Sequence, residues 1–364
     1  MRLRSSAPGK LVVIGEYAVL FGHPAVVAAV NRRAEVGLEA TGGEAWSMSA
    51  PGIDDGPARF ILDPDVGFHW LATSSETAER LRLVEGLFQS LLRSGELTRE
   101  ALRPAHLTLD TRSFFHPAAS GPVKLGLGSS AALTVAAAEA LRIWDRGAEN
   151  PEPMGLHRLL GLHRDFQGGR GSGIDLAASA LGGVLEYRLA GDGGAPEAVP
   201  TSLPADVRPV VVWTGRAAST SSFLARLETA LKGRRGAVHD ALDELGRESG
   251  RAVVCLRSGD APGFVAVAGG YGDALERLGD AAGIPILSPE HRRLRTLARR
   301  AGVAYKPSGA GGGDVGIGFT TDDGAAESFA GSAAAEGFTR LALEIDPRGV
   351  RVRRSTGRSG ADSC

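Results

Sequence analysis

The chain has 364 residues, 43% of them hydrophobic and 23% charged, with a formal net charge of −1. This is the balance of a globular protein long enough for two domains, and it offers no basic excess with which to hold nucleic acid or an anionic membrane. Its two cysteines, Cys255 and Cys364, make neither a disulfide framework nor a metal-ligand spacing. No signal peptide and no membrane-length apolar run is read, so a cytoplasmic protein is expected.

In chain order, residues 11–14 and 25–30 read as short apolar strands around a Gly22-His23-Pro24 turn, and 33–39 alternates as a strand does. Residues 41–57, rich in Gly and Pro, are expected to loop outward. Helical spacing covers 76–92. A strand follows at 106–109, then an irregular segment at 110–124. Helices are predicted at 130–144, 154–166 and 174–181, and a strand at 184–187. The Gly/Pro-rich stretch 190–204 marks a domain boundary. Beyond it come a strand at 209–213, helices at 221–231, 237–258, 261–281 and 289–301, and strands at 303–306 and 315–320. A helix at 325–336 and a last strand at 339–345 complete the pattern. The expected units are 1–195 and 205–352, with 353–364 a disordered tail. Strands and helices intermix without regular strand–helix–strand units, which predicts an α+β fold.

One segment carries chemistry on its own. Gly126-Leu127-Gly128-Ser129-Ser130-Ala131-Ala132 sets two glycines and two serines before a helix. Glycines let backbone approach a ligand closely. The helix start presents free N–H groups and a positive dipole end to an anion. This reads as a phosphate-binding loop, or taken alone as an ordinary glycine-rich helix start, and not as a Walker A, because no Gly-Lys-[Ser/Thr] follows. Nor is it a Rossmann fingerprint, because Gly121-Pro122-Val123-Lys124 is poor strand material. A second glycine-rich helix start is Gly171-Ser172-Gly173-Ile174-Asp175. Lysine is scarce: Lys10, Lys124, Lys232 and Lys306 are the only four, and three of them flank motifs.

Two more motifs complete a set. They are Ala7-Pro8-Gly9-Lys10, running on to Gly15-Glu16-Tyr17-Ala18, and Lys306-Pro307-Ser308-Gly309-Ala310-Gly311-Gly312-Gly313-Asp314. In this order and spacing the three motifs resemble the signature set of the GHMP small-molecule kinases. Within them, the pattern His163, Gln167-Gly168, Gly171 to Asp175 and Asp314 is similar to the phosphomevalonate kinase subgroup. The resemblance covers nearly the whole chain. It implies a two-domain GHMP kinase fold: an N-terminal mixed α/β domain resembling a ribosomal-protein fold, and a ferredoxin-like C-terminal domain. The substrates would lie in the cleft between them.

The resemblance also implies roles. ATP and Mg²⁺ would be the cofactors, and phosphomevalonate the acceptor. Mevalonate or another GHMP substrate is the alternative, and a non-catalytic ligand-binding homologue a further one. Lys124, Gly126, Leu127, Gly128, Ser129, Ser130 and Ala131 would hold the nucleotide, with Ser130 on the metal. Asp175 would be the catalyst, as base or as orienting group, with Lys10 beside it. Lys10, Glu16, Tyr17, Ser172, Gly173, Asp175, Ser308, Gly309, Ala310 and Gly311 would line the acceptor site. Ser219, Thr220 and Ser221, at a hydroxyl-rich helix start after Trp213-Thr214-Gly215, would receive the acceptor's own phosphate; helix capping alone also accounts for them. A monomer or homodimer is expected.

Overall fold

Two long strands organise the N-terminal half. In chain order the elements there are β1 (Arg2–Ile14), β2 (Ala25–Ala40), β3 (Trp46–Ala50), β4 (Asp54–Asp63), β5 (Gly67–Leu71), α1 (Ser75–Arg80), α2 (Arg82–Arg93), β6 (Ala105–Asp110), β7 (Phe115–His116), β8 (Val123–Lys124), α3 (Ser129–Arg146), α4 (Leu156–Gln167), α5 (Ile174–Leu181), β9 (Val184–Arg188) and β10 (Glu197–Thr201). The second half adds β11 (Arg208–Trp213), α6 (Thr220–Gly233), α7 (Arg235–Ser258), α8 (Ala261–Ala282), α9 (Pro289–Arg300), β12 (Ala304–Pro307), β13 (Val315–Thr320), α10 (Asp323–Ala335), β14 (Thr339–Arg340) and β15 (Arg351–Ser355). The computed structural model describes residues 2–51, 54–63, 67–98, 102–118, 121–146, 152–167, 171–190, 194–218, 220–233 and 235–355.

The first half of β1 alternates exposed Arg2 and Arg4 with buried Leu3 and Ser5, so one face meets water. Its second half is buried on both faces. Leu11 and Val13 join the large core that includes α3, whereas Val12 packs with Ile174 and Ala177 of α5. α3 can lie this close to the sheet because Ala131, Ala132, Ala136, Ala137, Ala138 and Ala140, all fully buried, keep its surface thin; alanine is also the strongest helix former. The sheet runs β10-β9-β2-β6-β3-β4-β5, with β1 along β2 and β15 along β1. Among the described residues of this sheet, only β3 and β6 pair in parallel.

In the C-terminal half the order is β12-β13-β11-β14, antiparallel throughout. With α6 to α9 before β12 and α10 before β14, this is the ferredoxin-like arrangement, elaborated by extra helices. The α+β expectation therefore holds.

Several local expectations are corrected. The expected outward loop at 41–57 holds β3 and the start of β4, because Trp46, Met48 and Ala50 bury one side of an alternating strand. The helix at 76–92 breaks at Leu81 into α1 and α2. The segment 190–204 contributes β10 to the first sheet. The strand expected at 339–345 shortens to Thr339–Arg340.

The expected tail also starts later than 353, since 353–355 lie in a strand. Ile345 bridges Val30, and Arg351 to Ser355 pair with Ser6 to Arg2. The free edge of β1 supplies the partner that polar composition alone did not predict. Residues 356–364 lie outside the described residues. No described helix is long and apolar enough to cross a membrane.

Arg33 locks this returning segment. Its guanidinium donates to Ser6 Oγ at 3.1 Å, Ser6 O at 2.8 Å and Gly349 O at 2.7 Å, and it pairs with Asp346 at 2.5 Å. Asp346 also receives Arg351 at 2.8 Å. Asp346→Ala would strand a largely buried guanidinium and should cost about 3 kcal/mol. Arg2→Ala, which breaks the exposed pair with Glu39, should cost less than about 1 kcal/mol. Denaturant midpoints of the two variants compare them directly; equal losses would remove the locking role of Arg33.

Candidate active site

The phosphate loop runs from the end of β8 into α3. Gly126 and Gly128 have φ of 76° and 79°, in the left-handed region that favours glycine. The turn brings the loop onto β1: Lys10 N–H donates to Leu127 O at 2.8 Å. The Lys10 ammonium donates to Gly126 O at 3.2 Å. A Cβ added at 128 would fall 2.9 Å from Lys10 Cγ, forcing that side chain to shift, and in ordinary contact, 3.7 Å, with Asp175 Cβ. Lys10 and Asp175 thus flank the glycine that opens α3.

Asp175 lies in the first turn of α5, whose start follows Gly173 in left-handed backbone. Its Oδ1 accepts the N–H of Leu176 at 3.0 Å. The Ser172 carbonyl that precedes it is held by the Tyr187 hydroxyl at 2.5 Å. Burial pushes the Tyr187 phenol up, and the Asp175 charge adds to this. His163, buried on α4, is pushed down by desolvation, with Asp175 acting the other way.

The first motif is clamped by the second half of the chain. Lys306, fully buried on β12, pairs with Glu16 at 2.5 Å. Glu16 Oε1 also accepts Gly309 N–H at 3.3 Å, and the Tyr271 hydroxyl donates to Glu16 O at 2.7 Å. Burial raises the Glu16 carboxyl, with Lys306 opposing; burial lowers the Lys306 ammonium, with Glu16 opposing. Tyr17, at a φ of 61°, donates to Ala310 O at 2.5 Å, and Ser308 Oγ donates to Val12 O at 2.9 Å. Left-handed backbone at a bulky residue costs about 1–3 kcal/mol, so Tyr17 depends on this surrounding clamp.

The third glycine loop rests on a neutral histidine. His291 on α9 is fully buried between Tyr305 O–H, 2.8 Å from Nδ1, and Gly313 O, 2.9 Å from Nε2. The tautomer protonated on Nε2 satisfies both, accepting from the phenol and donating to the carbonyl.

These parts enclose one cleft of about 930 Å³. Of the expected site residues, Lys10, Glu16, Tyr17, Lys124, Gly126, Gly128, Ser129, Ser130, Ser172, Gly173, Asp175, Gly309 and Ala310 line it. Leu127, Ala131, Ser308 and Gly311 are buried behind the lining. Glu16 and Tyr17 are tied up in the clamp as well as facing the cleft. Ser219 lies outside the described residues, as do the side chains of Thr220 and Ser221; Ala217 and Ala218 just before them do line the cleft. Sequence reasoning missed Arg82, which lines the cleft from the start of α2. Nothing in its surroundings in the sequence marks it.

A glycine-rich helix start, a lysine and a carboxylate meet in one cleft lined from both halves of the chain, the arrangement expected of a small-molecule kinase. Comparison with known proteins agrees. The model of the GHMP kinases N terminal domain matches residues 84–183 and that of the GHMP kinases C terminal matches 268–338. A phosphomevalonate kinase of Streptomyces sp. (strain CL190) is 32% identical over 346 residues, covering 85% of this chain and 88% of that protein. A mevalonate kinase of Pyrococcus abyssi is 27% identical, covering 96% and 97%. The crystal structure of Streptococcus pneumoniae phosphomevalonate kinase with phosphomevalonate and AMPPNP superposes with a TM-score of 0.72 at 19% identity, over 95% of this chain and 99% of that one. The chain belongs to the GHMP kinase family.

The state of His291 makes stability depend on pH. Burial lowers its pKa from 6.5 to about 4. The unfolded chain therefore binds a proton that the folded chain refuses. The contribution of His291 is complete above pH 6.5 and is lost as pH falls toward 4, by about 3 kcal/mol. His291→Gln should flatten stability across that window, measured by denaturant midpoints from pH 7.5 to 4; an unchanged slope would rule out a buried neutral His291.

Proposed function

We propose that the chain transfers the γ-phosphoryl group of ATP to 5-phosphomevalonate, giving 5-diphosphomevalonate and ADP, in the mevalonate route to isoprenoids. The observation that carries the reading is the meeting of Lys10 and Asp175 at Gly128 of the phosphate loop. The N–H groups of 126–130 would bind the nucleotide phosphates, with Lys124 close by. An oxygen of the acceptor's phosphate attacks the γ-phosphorus, and the bond from that phosphorus to the ADP oxygen breaks. A phosphate monoester has its second pKa near 6, so at neutral pH the attacking oxygen has already lost its proton. Asp175 then orients the acceptor more than it serves as a base, and Lys10 offsets the charge gathered at the reacting oxygens.

Mg²⁺ fits this cleft in one way. Among the described residues no three His, Cys, Asp or Glu side chains cluster as a metal cage, while the Ser130 hydroxyl and phosphate oxygens suit an ion that keeps few protein ligands. When bound, the ion would neutralise phosphate charge. The 32% identity to a phosphomevalonate kinase favours the phosphorylated acceptor. The second reading, mevalonate as acceptor, is favoured by the mevalonate kinases that match over nearly the full chain. We place the enzyme in the cytoplasm.

ADP release in the presence of ATP and Mg²⁺ should be faster with phosphomevalonate than with mevalonate; the reverse order would establish the second reading. Lys10→Arg retains the charge but puts a planar fork where a compact ammonium fits. Its turnover should fall at least about tenfold, equivalent to roughly 1.4 kcal/mol, with melting unchanged. Equal turnover in a normally folded variant would make Lys10 a bystander. Asp175→Asn should lower turnover more than it changes nucleotide binding. The same comparison of kcat and nucleotide Kd in Ser130→Ala should show the opposite weighting.

A further inference from the structure

Asp314 ends the third glycine run in left-handed backbone, φ 57°, which aspartate tolerates better than most residues. Its bonds converge on one turn, residues 214–218. Its N–H donates to Arg216 O at 2.7 Å, and its carbonyl accepts the N–H and the hydroxyl of Thr214, each at 2.9 Å. Its Oδ1 accepts the N–H of Ala218 at 3.1 Å. The other side of the carboxylate lies on the phosphate loop. A Cβ added at Gly126 would fall 2.2 Å from Asp314 Cγ and 2.3 Å from Oδ2. Glycine at 126 and a short acid at 314 are therefore fitted to each other.

A carboxylate beside a phosphate loop repels the anions the loop receives, so its presence needs a reason. Its bonds to the 214–218 turn supply one. Burial raises the Asp314 carboxyl, opposed by the Ala218 N–H and then by the Lys10 and Lys124 ammonium groups. Burial lowers the Lys124 ammonium first, Asp314 opposes this, and Lys10 depresses it further. Lys10, Lys124 and Asp314 line the same cleft.

We infer that Asp314 is the residue that sets the 214–218 turn against the phosphate loop, a positioning role that joins the nucleotide side of the cleft to the acceptor side. The inference rests on the reading of 126–130 as the nucleotide loop. A phosphate entering that loop meets the charge of Asp314 at Gly126. The acceptor's phosphate meets a turn whose shape Asp314 dictates.

Two variants separate the charge from the hydrogen bonds. Asp314→Asn tolerates the left-handed backbone and retains an oxygen for Ala218 N–H, but loses the charge. Asp314→Gly retains the backbone and loses both. Calorimetry with ADP in the absence of metal should show both variants binding at least about threefold tighter than the parent, the size expected for removing one partly screened charge. In steady-state kinetics, Asp314→Asn should hold the acceptor KM within about twofold. Asp314→Gly should raise it at least about fivefold, with a smaller fall in kcat, as expected for lost binding rather than lost transition-state contact.

ADP binding no tighter in either variant, or an unchanged acceptor KM in Asp314→Gly, overturns the inference. So does weaker Mg²⁺–ADP binding with metal-free ADP unchanged, which would make Asp314 a metal ligand. A parent protein that ignores phosphomevalonate would defeat the proposed acceptor alone. The ADP measurement would still stand, and the KM comparison would use whichever acceptor the parent turns over.

Discussion

The ion pair between Glu16 and Lys306 is the constraint on which the site depends. Both side chains are buried, and a buried charge without its partner costs several kcal/mol. Glu16 belongs to the loop after β1 and Lys306 to β12, so the pair is satisfied only when the two halves of the chain sit in one relation. Lys306 also reaches Val12 O at 3.4 Å. Tyr271, Ser308 and Tyr17 add bonds over the same short stretch of the first motif. That stretch begins just after Lys10, and Lys10 grips the phosphate loop. The clamp thereby fixes how far the third glycine loop stands from the first two motifs.

On this frame the charges of the cleft fall into a workable order. Asp175 and Lys10 meet at Gly128, while Asp314 lies against Gly126. Phosphoryl transfer gathers negative charge from nucleotide and acceptor at one point, and preorganised cations are what stabilise it. Fixing Lys10 through both its backbone N–H and its ammonium limits the reorganisation that charge would otherwise demand.

Much of this was legible in the sequence, for physical reasons. The three glycine motifs are local: positive φ and helix starts are written in adjacent residues, so the phosphate loop and the start of α5 emerge as expected. The scarcity of lysine pointed toward phosphate, and for Lys10 and Lys124 it led to the cleft. For Lys306 it did not, since burial beside Glu16 depends on a partner far away in the chain. The same limit explains β15, whose polar residues become a strand only because the edge of β1 is free. It also explains Arg82, an ordinary helix-start arginine until the fold turns it toward the cleft. Asp314 stood out in the sequence as a subgroup feature, but its contact with Gly126 is a matter of tertiary structure.

The clamp is tested most directly by a double-mutant cycle on Glu16 and Lys306, read as denaturant stability. Lys306→Met alone leaves a buried carboxylate unpaired, and Glu16→Gln alone leaves a buried ammonium unpaired. Each single change should cost about 3 kcal/mol or more, and the double variant less than the sum of the two by at least about 2 kcal/mol. Strictly additive losses would contradict the account, because they would mean that the two charges do not depend on each other and that the halves of the cleft are held together by something else.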